Sequence, residues 1–370
     1  MIPLNQNLLP LRQSAIRAYT NLARATPDCA MLTIGEPDFD TPEEIKAAAI
    51  TALTQNQTHY APNQGTQALV RAVAEVEQVK PEQVLITIGA TQSLFTALMG
   101  ILNPGEEVIV PVPGFTLYES IITIAGAKMI PLDVTGTDFQ IRKEALEARI
   151  TPKTKAIVLN SPNNPTGVIF NEASLAAVKE AVLGKDIFVI CDNVYQGLCN
   201  RPCPDLSKDA ELKEQILLCQ SFSKPWSMTG WRIGYLAGPE YVMDRLRLLS
   251  AATITAVPTF IQEAAITALK TPVAEMKETY EKRRRYICSR LTEMGLSFPK
   301  PEGAFYVFVD IRKFGIPSDE FCTRMIQEAR VAAVPGSCFG TEGFIRLSYC
   351  YSDAELKKGL DRMAQFISTL

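Results

Sequence analysis

The feature that most constrains the fold is an alternation of short apolar runs with helix-length amphipathic segments from residue 84 to residue 238. The apolar runs have the length of buried strands and occupy residues 84–88, 108–110, 128–132, 156–159, 187–190, 216–219 and 233–236. Segments with helical spacing separate several of them, at residues 91–102, 118–125, 142–149 and 173–183. Strands that alternate with helices usually pair in parallel and are covered by those helices. The sequence therefore predicts an α/β fold with a mostly parallel seven-stranded sheet covered by helices.

The pattern changes after residue 238, where longer helical stretches begin. Helical spacing at 262–269 and 273–294 is followed by strand 304–309, helix 318–330, strand 344–348 and a terminal helix from residue 353. This order predicts a smaller α+β unit, which we expect the N-terminal forty residues to complete. The predicted domains are an N-terminal arm with part of the small domain (1–42), a large domain (43–281) and a small C-terminal domain (282–370).

Composition and charge exclude several classes of protein. With 370 residues, 47% of them hydrophobic, the chain can bury a large core. A net charge of -3 gives no broad positive field for nucleic acid, and the basic run at 282–285 is interpreted as one solvated helical turn. The first residues lack the pattern of a signal peptide, and no apolar run is long enough to span a membrane. We therefore expect neither nucleic acid nor a membrane as a partner.

The cysteine and histidine residues limit which catalytic and metal sites the chain can form. The nine cysteines are scattered without metal-ligand spacing, and Cys199 and Cys203 come closest to a pair. This usage predicts reduced thiols in a cytoplasmic protein, and no metal site. The single histidine, His59, excludes a histidine-based triad and a multi-histidine metal site, and its turn-rich surroundings favour a loop residue.

Polar residues that follow the apolar runs are the first candidates for a site, because ligands of open α/β sheets bind beyond the carboxyl ends of the strands. Ala90 and Thr91 indicate either an anion site at a helix N-terminus or a tight turn with a threonine cap. Asn164 lies in a loop fixed by prolines and a glycine, which would hold its side-chain amide rigidly. The same loop is equally well explained as an ordinary connection between two elements. Asp192 follows five apolar residues, and a buried acid needs a cationic partner.

Lys224 lies among hydroxyl side chains, eight residues before Arg232. Burial and a neighbouring cation both lower the pKa of a lysine, and an unprotonated lysine can form a Schiff base with an aldehyde. The planar fork of Arg232 suits a phosphate. The segment thus predicts a covalent anchor for an aldehyde cofactor, with a solvated loop lysine as the alternative.

Seven short motifs in this chain resemble those of the class I and II aminotransferases, the large fold-type I group of pyridoxal 5′-phosphate (PLP) enzymes. They cover essentially the whole chain in the family's order: Ile34-Gly35-Glu-Pro-Asp-Phe39, Tyr60-Ala-Pro-Asn-Gln-Gly65, Gly89-Ala-Thr91, Asn163-Asn164-Pro-Thr-Gly167, Asp192-Asn-Val-Tyr195, Ser221-Phe-Ser-Lys224 with Arg232, and Phe344-Ile-Arg346-Leu-Ser348. The resemblance implies the fold of the PLP-dependent transferases for the large domain.

The resemblance also implies a cofactor site, with Lys224, Asp192 and Tyr195 as catalytic residues. Lys224 would hold PLP as an internal aldimine and then move the proton between Cα and the cofactor, while Asp192 would face the pyridine nitrogen. Asn164 and Tyr195 would hydrogen-bond the 3′ oxygen of the cofactor, and Phe115 would stack on its ring. The residues implied around the phosphate are Ala90, Thr91, Ser221, Ser223 and Arg232.

The same resemblance implies how substrate and a second subunit are bound. Arg346 would bind the α-carboxylate of the substrate through its guanidinium fork, beside Gly35 and Asn164. Tyr60 would reach the phosphate in the neighbouring subunit. The implied assembly is therefore a homodimer with shared active sites.

The implied reaction is transamination in two half-reactions between an L-amino acid and a 2-oxo acid. A PLP-dependent carbon–sulfur β-lyase on the same fold is an alternative, and so is a PLP-sensing regulatory module, which the missing basic patch disfavours. An acidic substrate would need a second cation, for which Arg12 and Arg17 are candidates. The pattern is most similar to bacterial aspartate, aromatic and N-acetyl-diaminopimelate aminotransferases, which leaves the substrate open.

Overall fold

The computed structural model describes residues 2–11, 13, 15–199 and 201–370, so Arg12 lies outside the described residues. The strands are β1 Ala30–Met31, β2 Val84–Thr87, β3 Glu107–Val112, β4 Lys128–Asp133, β5 Thr154–Asn160, β6 Phe188–Asp192, β7 Ile216–Ser221, β8 Gly234–Ala237, β9 Tyr306–Asp310, β10 Val331–Ala332, β11 Val334–Pro335 and β12 Phe344–Ser348. The α-helices are α1 Ala15–Ala25, α2 Glu43–Thr54, α3 Gln67–Glu77, α4 Gly89–Ile101, α5 Leu117–Ile124, α6 Lys143–Glu147, α7 Glu172–Val182, α8 Glu240–Ile254, α9 Thr259–Ala268, α10 Ala274–Glu293, α11 Ser318–Ala329 and α12 Asp353–Ile367.

Strands β2 to β8 form one sheet in the order β2-β8-β7-β6-β5-β3-β4. Neighbouring strands run parallel, except that β8 is antiparallel to both β2 and β7. These strands are the seven predicted from the apolar runs, and their ends differ from the prediction by at most two residues. The predicted mostly parallel sheet is confirmed.

Helices cover both faces of this sheet, which explains why its strands are continuously apolar. Successive side chains of a strand point to opposite faces. In β5, Ala156 and Val158 pack into a core with α4, α5 and α8. Ile157 and Leu159 pack into a second core with α6 and α7 on the other face. A rigid, doubly covered sheet therefore supports the carboxyl ends of β5, β6 and β7.

The C-terminal part of the chain builds a separate antiparallel sheet in the order β11-β12-β9. The short strand β1 pairs in parallel with β10, so that Ala30 lies opposite Val331. An N-terminal segment therefore joins the C-terminal sheet region. The domain boundaries given above stay a prediction.

The interpretation of the basic run at 282–285 is wrong for Arg283. This residue lies in α10, but it is only 9% exposed. Its Nη1 and Nη2 atoms donate to the two carboxylate oxygens of Asp38 at 2.7 and 2.8 Å, and its Nε atom donates to Asp353 at 2.9 Å. Arg285, two residues later, is exposed as predicted. Charge in a helical run does not show which face packs against another segment, and here Arg283 ties the loop after Gly35 to α10 and α12.

Candidate active site

The carboxyl ends of β5, β6 and β7 meet the N-terminus of α4 and strand β12 around a cavity of about 220 Å³. All the predicted site residues except Tyr60 line this cavity. The predicted residues that line it are Gly35, Ala90, Thr91, Phe115, Asn164, Asp192, Tyr195, Ser221, Ser223, Lys224, Arg232 and Arg346. The fold therefore brings together residues that are up to 311 positions apart in the sequence.

Lys224 lies three residues after the end of β7, and its Nζ atom donates to the carbonyl oxygen of Gly35 at 2.6 Å. Burial lowers the pKa of Lys224 to about 8, and the positive charges of Arg232 and Arg346 act in the same direction. Loss of solvation penalises the charged ammonium, which is the main physical cause. A larger fraction of this amine is thus neutral near pH 8 than for an ordinary lysine, and Lys224 is not a solvated loop residue.

Asp192 is the last residue of β6 and is 3% exposed. Its Oδ2 atom accepts a hydrogen bond from the Tyr118 hydroxyl at 2.6 Å, whereas its Oδ1 atom has no partner among the described residues. Burial raises the pKa of Asp192 to about 6, although the Tyr118 hydroxyl and the Val194 amide oppose that rise. A buried carboxylate oxygen without a partner is costly. The site therefore offers an acceptor for a cationic N–H group.

The N-terminus of α4, with Ala90 and Thr91 in its first turn, faces the same cavity. A threonine cap does not explain this turn, because Ile88 holds the N-cap position and the side chain of Gln92 accepts from the Ile88 amide at 2.6 Å. Free amides at a helix N-terminus attract an anion. Of the two roles expected for this turn, the one that fits is therefore that it forms one wall of an anion site.

Arg232, Ser221 and Ser223 complete that wall. Gly89 has a φ of +71°, and a Cβ atom there would lie 2.8 Å from Arg232 Nη2. Only glycine allows both this backbone conformation and the approach of the guanidinium group. The Ser221 hydroxyl accepts from the Ser223 amide at 3.1 Å, and both serines are buried. Hydroxyls, helix amides and one guanidinium group form a set of donors that suits a phosphate.

Arg346 lies on β12 and is 2% exposed, so it is not a surface arginine. Its Nη1 atom donates to Asn164 Oδ1 at 2.8 Å, and its Nη2 atom donates to the Thr33 carbonyl oxygen. The guanidinium carbon lies 4.5 Å from the ring centroid of Tyr306 and 5.0 Å from that of Phe339. Its Nε atom has no hydrogen-bond partner in the described part of the chain. The guanidinium plane is thus oriented in advance and retains an unused donor.

Tyr306 is one of the lining residues that the sequence reasoning missed. Its hydroxyl lies 2.9 Å from the Tyr195 hydroxyl, and a Cβ atom on Gly35 would lie only 1.6 Å from it. Gly35 is therefore required for the close approach of its backbone to Tyr306. Tyr306 begins β9, and no strand-end rule for the large sheet pointed to it.

Asn160 and Tyr118 were missed as well. The side chain of Asn160 donates to the Asp192 carbonyl oxygen at 2.9 Å and accepts from the Asn164 amide at 2.8 Å. Asn160 ends β5, so the strand-end rule would have found it. Tyr118 lies within α5 and carried no comparable signal in the sequence.

Several candidates lie away from the cavity. Tyr60 is 90% exposed, and His59 is an exposed loop residue. Arg17 is exposed and does not line the cavity, whereas its neighbour Ile16 does. The Sγ atoms of the free thiols Cys199 and Cys203 are 2.6 Å apart.

The described residues contain neither a metal-binding cluster nor a helix suited to span a membrane. In this part of the chain, no group of three or more His, Cys, Asp or Glu side chains is placed to hold a metal ion. None of its helices combines the length and the apolar character that crossing a bilayer requires.

Known proteins with a similar sequence or structure agree on one family. Residues 27–363 match the sequence model for the family "Aminotransferase class I and II". A probable N-acetyl-LL-diaminopimelate aminotransferase of Bacillus subtilis (strain 168) is 38% identical, with 98% of this chain and 95% of that protein covered. Aromatic-amino-acid aminotransferase 2 of Thermococcus litoralis is 37% identical, with 98% of each protein covered.

The likeness extends to solved structures. The aspartate aminotransferase from Thermus thermophilus with maleate has a TM-score of 0.94 to this chain, at 34% identity, over 99% of this chain and all of that one. The similarity in sequence and in fold therefore extends over nearly the full length of the chain. This chain belongs to the class I and II aminotransferases, a PLP-dependent family of enzymes that exchange an amino group between an amino acid and a 2-oxo acid.

Proposed function

We propose that the cavity is the cofactor site of this aminotransferase, where PLP binds with its aldehyde at Lys224, its ring nitrogen at Asp192 and its phosphate at the N-terminus of α4. One observation carries the assignment: Asp192 Oδ1 is buried beside the cavity, and no residue that the structure describes donates a hydrogen bond to it. A protonated ring nitrogen supplies both the missing donor and the missing positive charge. The residues present therefore fit the cofactor of the family.

When bound, PLP supplies an electron sink for the electron pair released as the Cα–H bond of the amino acid breaks. Asp192 would maintain the positive charge of the ring nitrogen, because its carboxylate would accept the hydrogen bond of that N–H group. Lys224, with its lowered pKa, would supply the neutral amine that holds the aldehyde carbon with loss of water, and, once the amino group of the substrate had displaced it, that amine would accept the Cα proton. Asn164 uses its Oδ1 atom for Arg346, which leaves its NH2 group to donate, with Tyr195, to the 3′ oxygen.

Arg346 binds the α-carboxylate of the amino acid and thereby orients the Cα–H bond. Two parallel N–H donors match the two oxygens of a carboxylate. The aromatic rings of Tyr306 and Phe339 already hold the guanidinium plane, so little freedom is lost when the substrate binds. This orientation favours removal of the proton at Cα over reactions at other bonds.

Borohydride reduction followed by peptide mass spectrometry tests the anchor. The protein loaded with PLP should carry a borohydride-fixed pyridoxyl group on the peptide that contains Lys224. Lys224→Ala should carry none and should lose nearly all turnover, whereas Lys153→Ala, which changes an exposed lysine, should behave as the parent protein. A pyridoxyl group on another lysine of the parent protein would exclude the proposed site.

The exposed Tyr60 fits a homodimer in which this residue acts in the neighbouring subunit. Large apolar side chains of the N-terminal arm are also exposed, among them Ile2 (91%), Leu4 (70%) and Leu9 (62%). Several large apolar side chains exposed within one short segment are consistent with an interface between proteins. Burial of this arm against a second copy, with Tyr60 near the partner's phosphate site, would account for both features.

Hybrid dimers test the shared site. Tyr60→Phe and Lys224→Ala are each expected to impair activity. In a mixed dimer, one site would combine Lys224 of one subunit with Tyr60 of the other, so mixing should restore up to one intact site per dimer. Activity that stays at the mean of the two separate variants would show that Tyr60 does not act across subunits. The cytoplasmic location expected from the cysteine usage remains a prediction.

A further inference from the structure

The charged groups that line the cavity all have a task in the proposed function. The cations among the described lining residues are Lys224, Arg232 and Arg346, and the lining acid is Asp192. The proposed function uses these cations for the aldehyde, the phosphate and the α-carboxylate. None of them is left for a second carboxylate on the side chain of a substrate.

Apolar side chains without a task in cofactor chemistry also line the cavity. Ile16 comes from α1, and Leu117 is the first residue of α5. Helix α1 packs against β11, the strand whose Val334 pairs with Arg346 on β12. Ile16 therefore lies toward the side of the cavity from which Arg346 would hold the α-carboxylate. A substrate side chain branches from the adjacent Cα atom and would meet this apolar surface.

Arg17 does not supply the missing charge in the structure. Successive residues of an α-helix point about 100° apart, so the side chains of Ile16 and Arg17 point in different directions. Arg17 is exposed and does not line the cavity, whereas Ile16 is partly buried and does. Of the two sequence-based candidates for recognition of an acidic substrate, Arg17 thus does not line the site, and Arg12 lies outside the described residues.

We infer that this enzyme prefers amino acids with uncharged apolar side chains, aliphatic or aromatic, over aspartate and glutamate, and that Ile16 and Leu117 determine this preference. The inference rests on the proposed function. A carboxylate transferred from water to an apolar wall without a partner loses its solvation. Apolar contacts in a pocket alone discriminate between substrates by about 10- to 200-fold. The cost of burying a carboxylate without a partner increases that ratio.

Binding of unreactive substrate analogues provides the first test and does not depend on turnover. Calorimetric titration of the PLP-loaded enzyme would compare 3-phenylpropanoate and 4-methylpentanoate, which are phenylalanine and leucine without the amino group, with succinate and glutarate. We expect the two apolar monocarboxylates to bind at least about tenfold more tightly than the two dicarboxylates. Equal or tighter binding of succinate or glutarate would overturn the inference, because it would show that another subunit or an undescribed residue supplies a cation.

A rapid-mixing measurement of the first half-reaction gives the matching kinetic comparison. Phenylalanine and leucine should change the absorption spectrum of the bound cofactor at least about tenfold faster, per unit concentration, than aspartate and glutamate. A faster change with aspartate or glutamate would contradict the inferred substrate preference but not the proposed function. If no amino acid changes the spectrum of the loaded enzyme, the proposed function fails instead.

Charged substitutions at Ile16 and Leu117 test the role of these two residues directly. Ile16→Arg and Leu117→Arg should each improve glutarate binding relative to 3-phenylpropanoate by about tenfold or more. Leu22→Arg is the matched control, because Leu22 lies on the same helix, is 39% exposed and does not line the cavity. An unchanged ratio in both cavity variants, or an equal change in the control, would remove the assigned role. If either cavity variant fails to fold, the comparison of analogues on the parent enzyme still decides the preference.

Discussion

The hydrogen bond from Tyr118 to Asp192 leads to a quantitative prediction about cofactor binding. Burial, and then the charge of Asp192, raise the pKa of Tyr118 well above its ordinary value, so the hydroxyl stays a neutral donor. The bond stabilises the ionised carboxylate in the cofactor-free protein as well as in the complex. Tyr118→Phe removes the donor and keeps the ring, so its main effect should be a higher pKa of Asp192.

The magnitude follows from the structure. Asp192 has a pKa of about 6 with the bond in place. A hydrogen bond to a charged group contributes about 1.5–3 kcal/mol, which would raise the pKa of Asp192 to about 7–8 in the variant. If PLP binds the ionised form, its affinity for Tyr118→Phe should be about 3- to 25-fold weaker at pH 6.5 and nearly equal to that of the parent protein at pH 9. The variant binds PLP more weakly at the lower pH because a higher pKa leaves less of its Asp192 carboxylate ionised as the pH falls.

Spectroscopic titration of the cofactor-free proteins with PLP, from pH 6 to pH 9, measures this ratio of affinities. Protonation of PLP and of Lys224 affects both proteins alike, so it cancels in the ratio. Tyr235→Phe is a matched control, because Tyr235 is also buried and its hydroxyl donates to the Glu77 carboxylate at 2.5 Å, outside the cavity. A ratio that does not change with pH, or the same change in Tyr235→Phe, would refute the role of Tyr118.

Three further substitutions have defined outcomes. Arg346→Lys keeps the charge but loses the planar fork, so kcat/KM for every amino acid should fall roughly 10- to 100-fold while PLP loading is retained; loss of PLP instead would contradict a substrate role. Gly35→Ala places a Cβ atom 1.6 Å from the Tyr306 hydroxyl, so the free energy of unfolding should fall by about 1–3 kcal/mol, and unchanged thermal melting would argue against this contact. Arg283→Met removes the bidentate partner of Asp38, whose side chain is 26% exposed, and should cost roughly 1.5–3 kcal/mol of unfolding free energy. The exposed Arg285→Met should cost under about 0.5 kcal/mol, and equal melting shifts would contradict the buried salt bridge.

The strands of the large sheet were predictable because a doubly covered parallel strand is a local, continuous apolar run. The predicted helices from 91–102 onward follow from the same local periodicity, and their observed counterparts differ by a few residues at the ends. Positions after such runs share one edge of the sheet, which is why Asp192, Asn164 and Lys224 could be identified as a group. Short strands such as β1 and β10 have two residues each, which is too few for a periodic signal.

Side chains supplied by other segments could not be predicted in this way. Tyr118 comes from a helix flank, and Tyr306 comes from the second sheet. Nothing in either local pattern indicates contact with a site residue that is 74 or 111 positions away. The burial of Arg283 and the orientation of Ile16 rather than Arg17 toward the cavity depend likewise on what packs against each helix.

By itself the sequence determined the order of strands and helices, the family and the set of residues with suitable chemistry, because periodicity and short motifs are local properties of the chain. Only the tertiary structure decided which of those groups are desolvated and which lack a partner. Packing between distant segments produces the lowered pKa of the Lys224 amine, the apolar surface at Ile16, and the burial of Asp192 Oδ1 with no donor among the described residues. Solvation is a property of the folded molecule, since it depends on every atom that replaces water around a group.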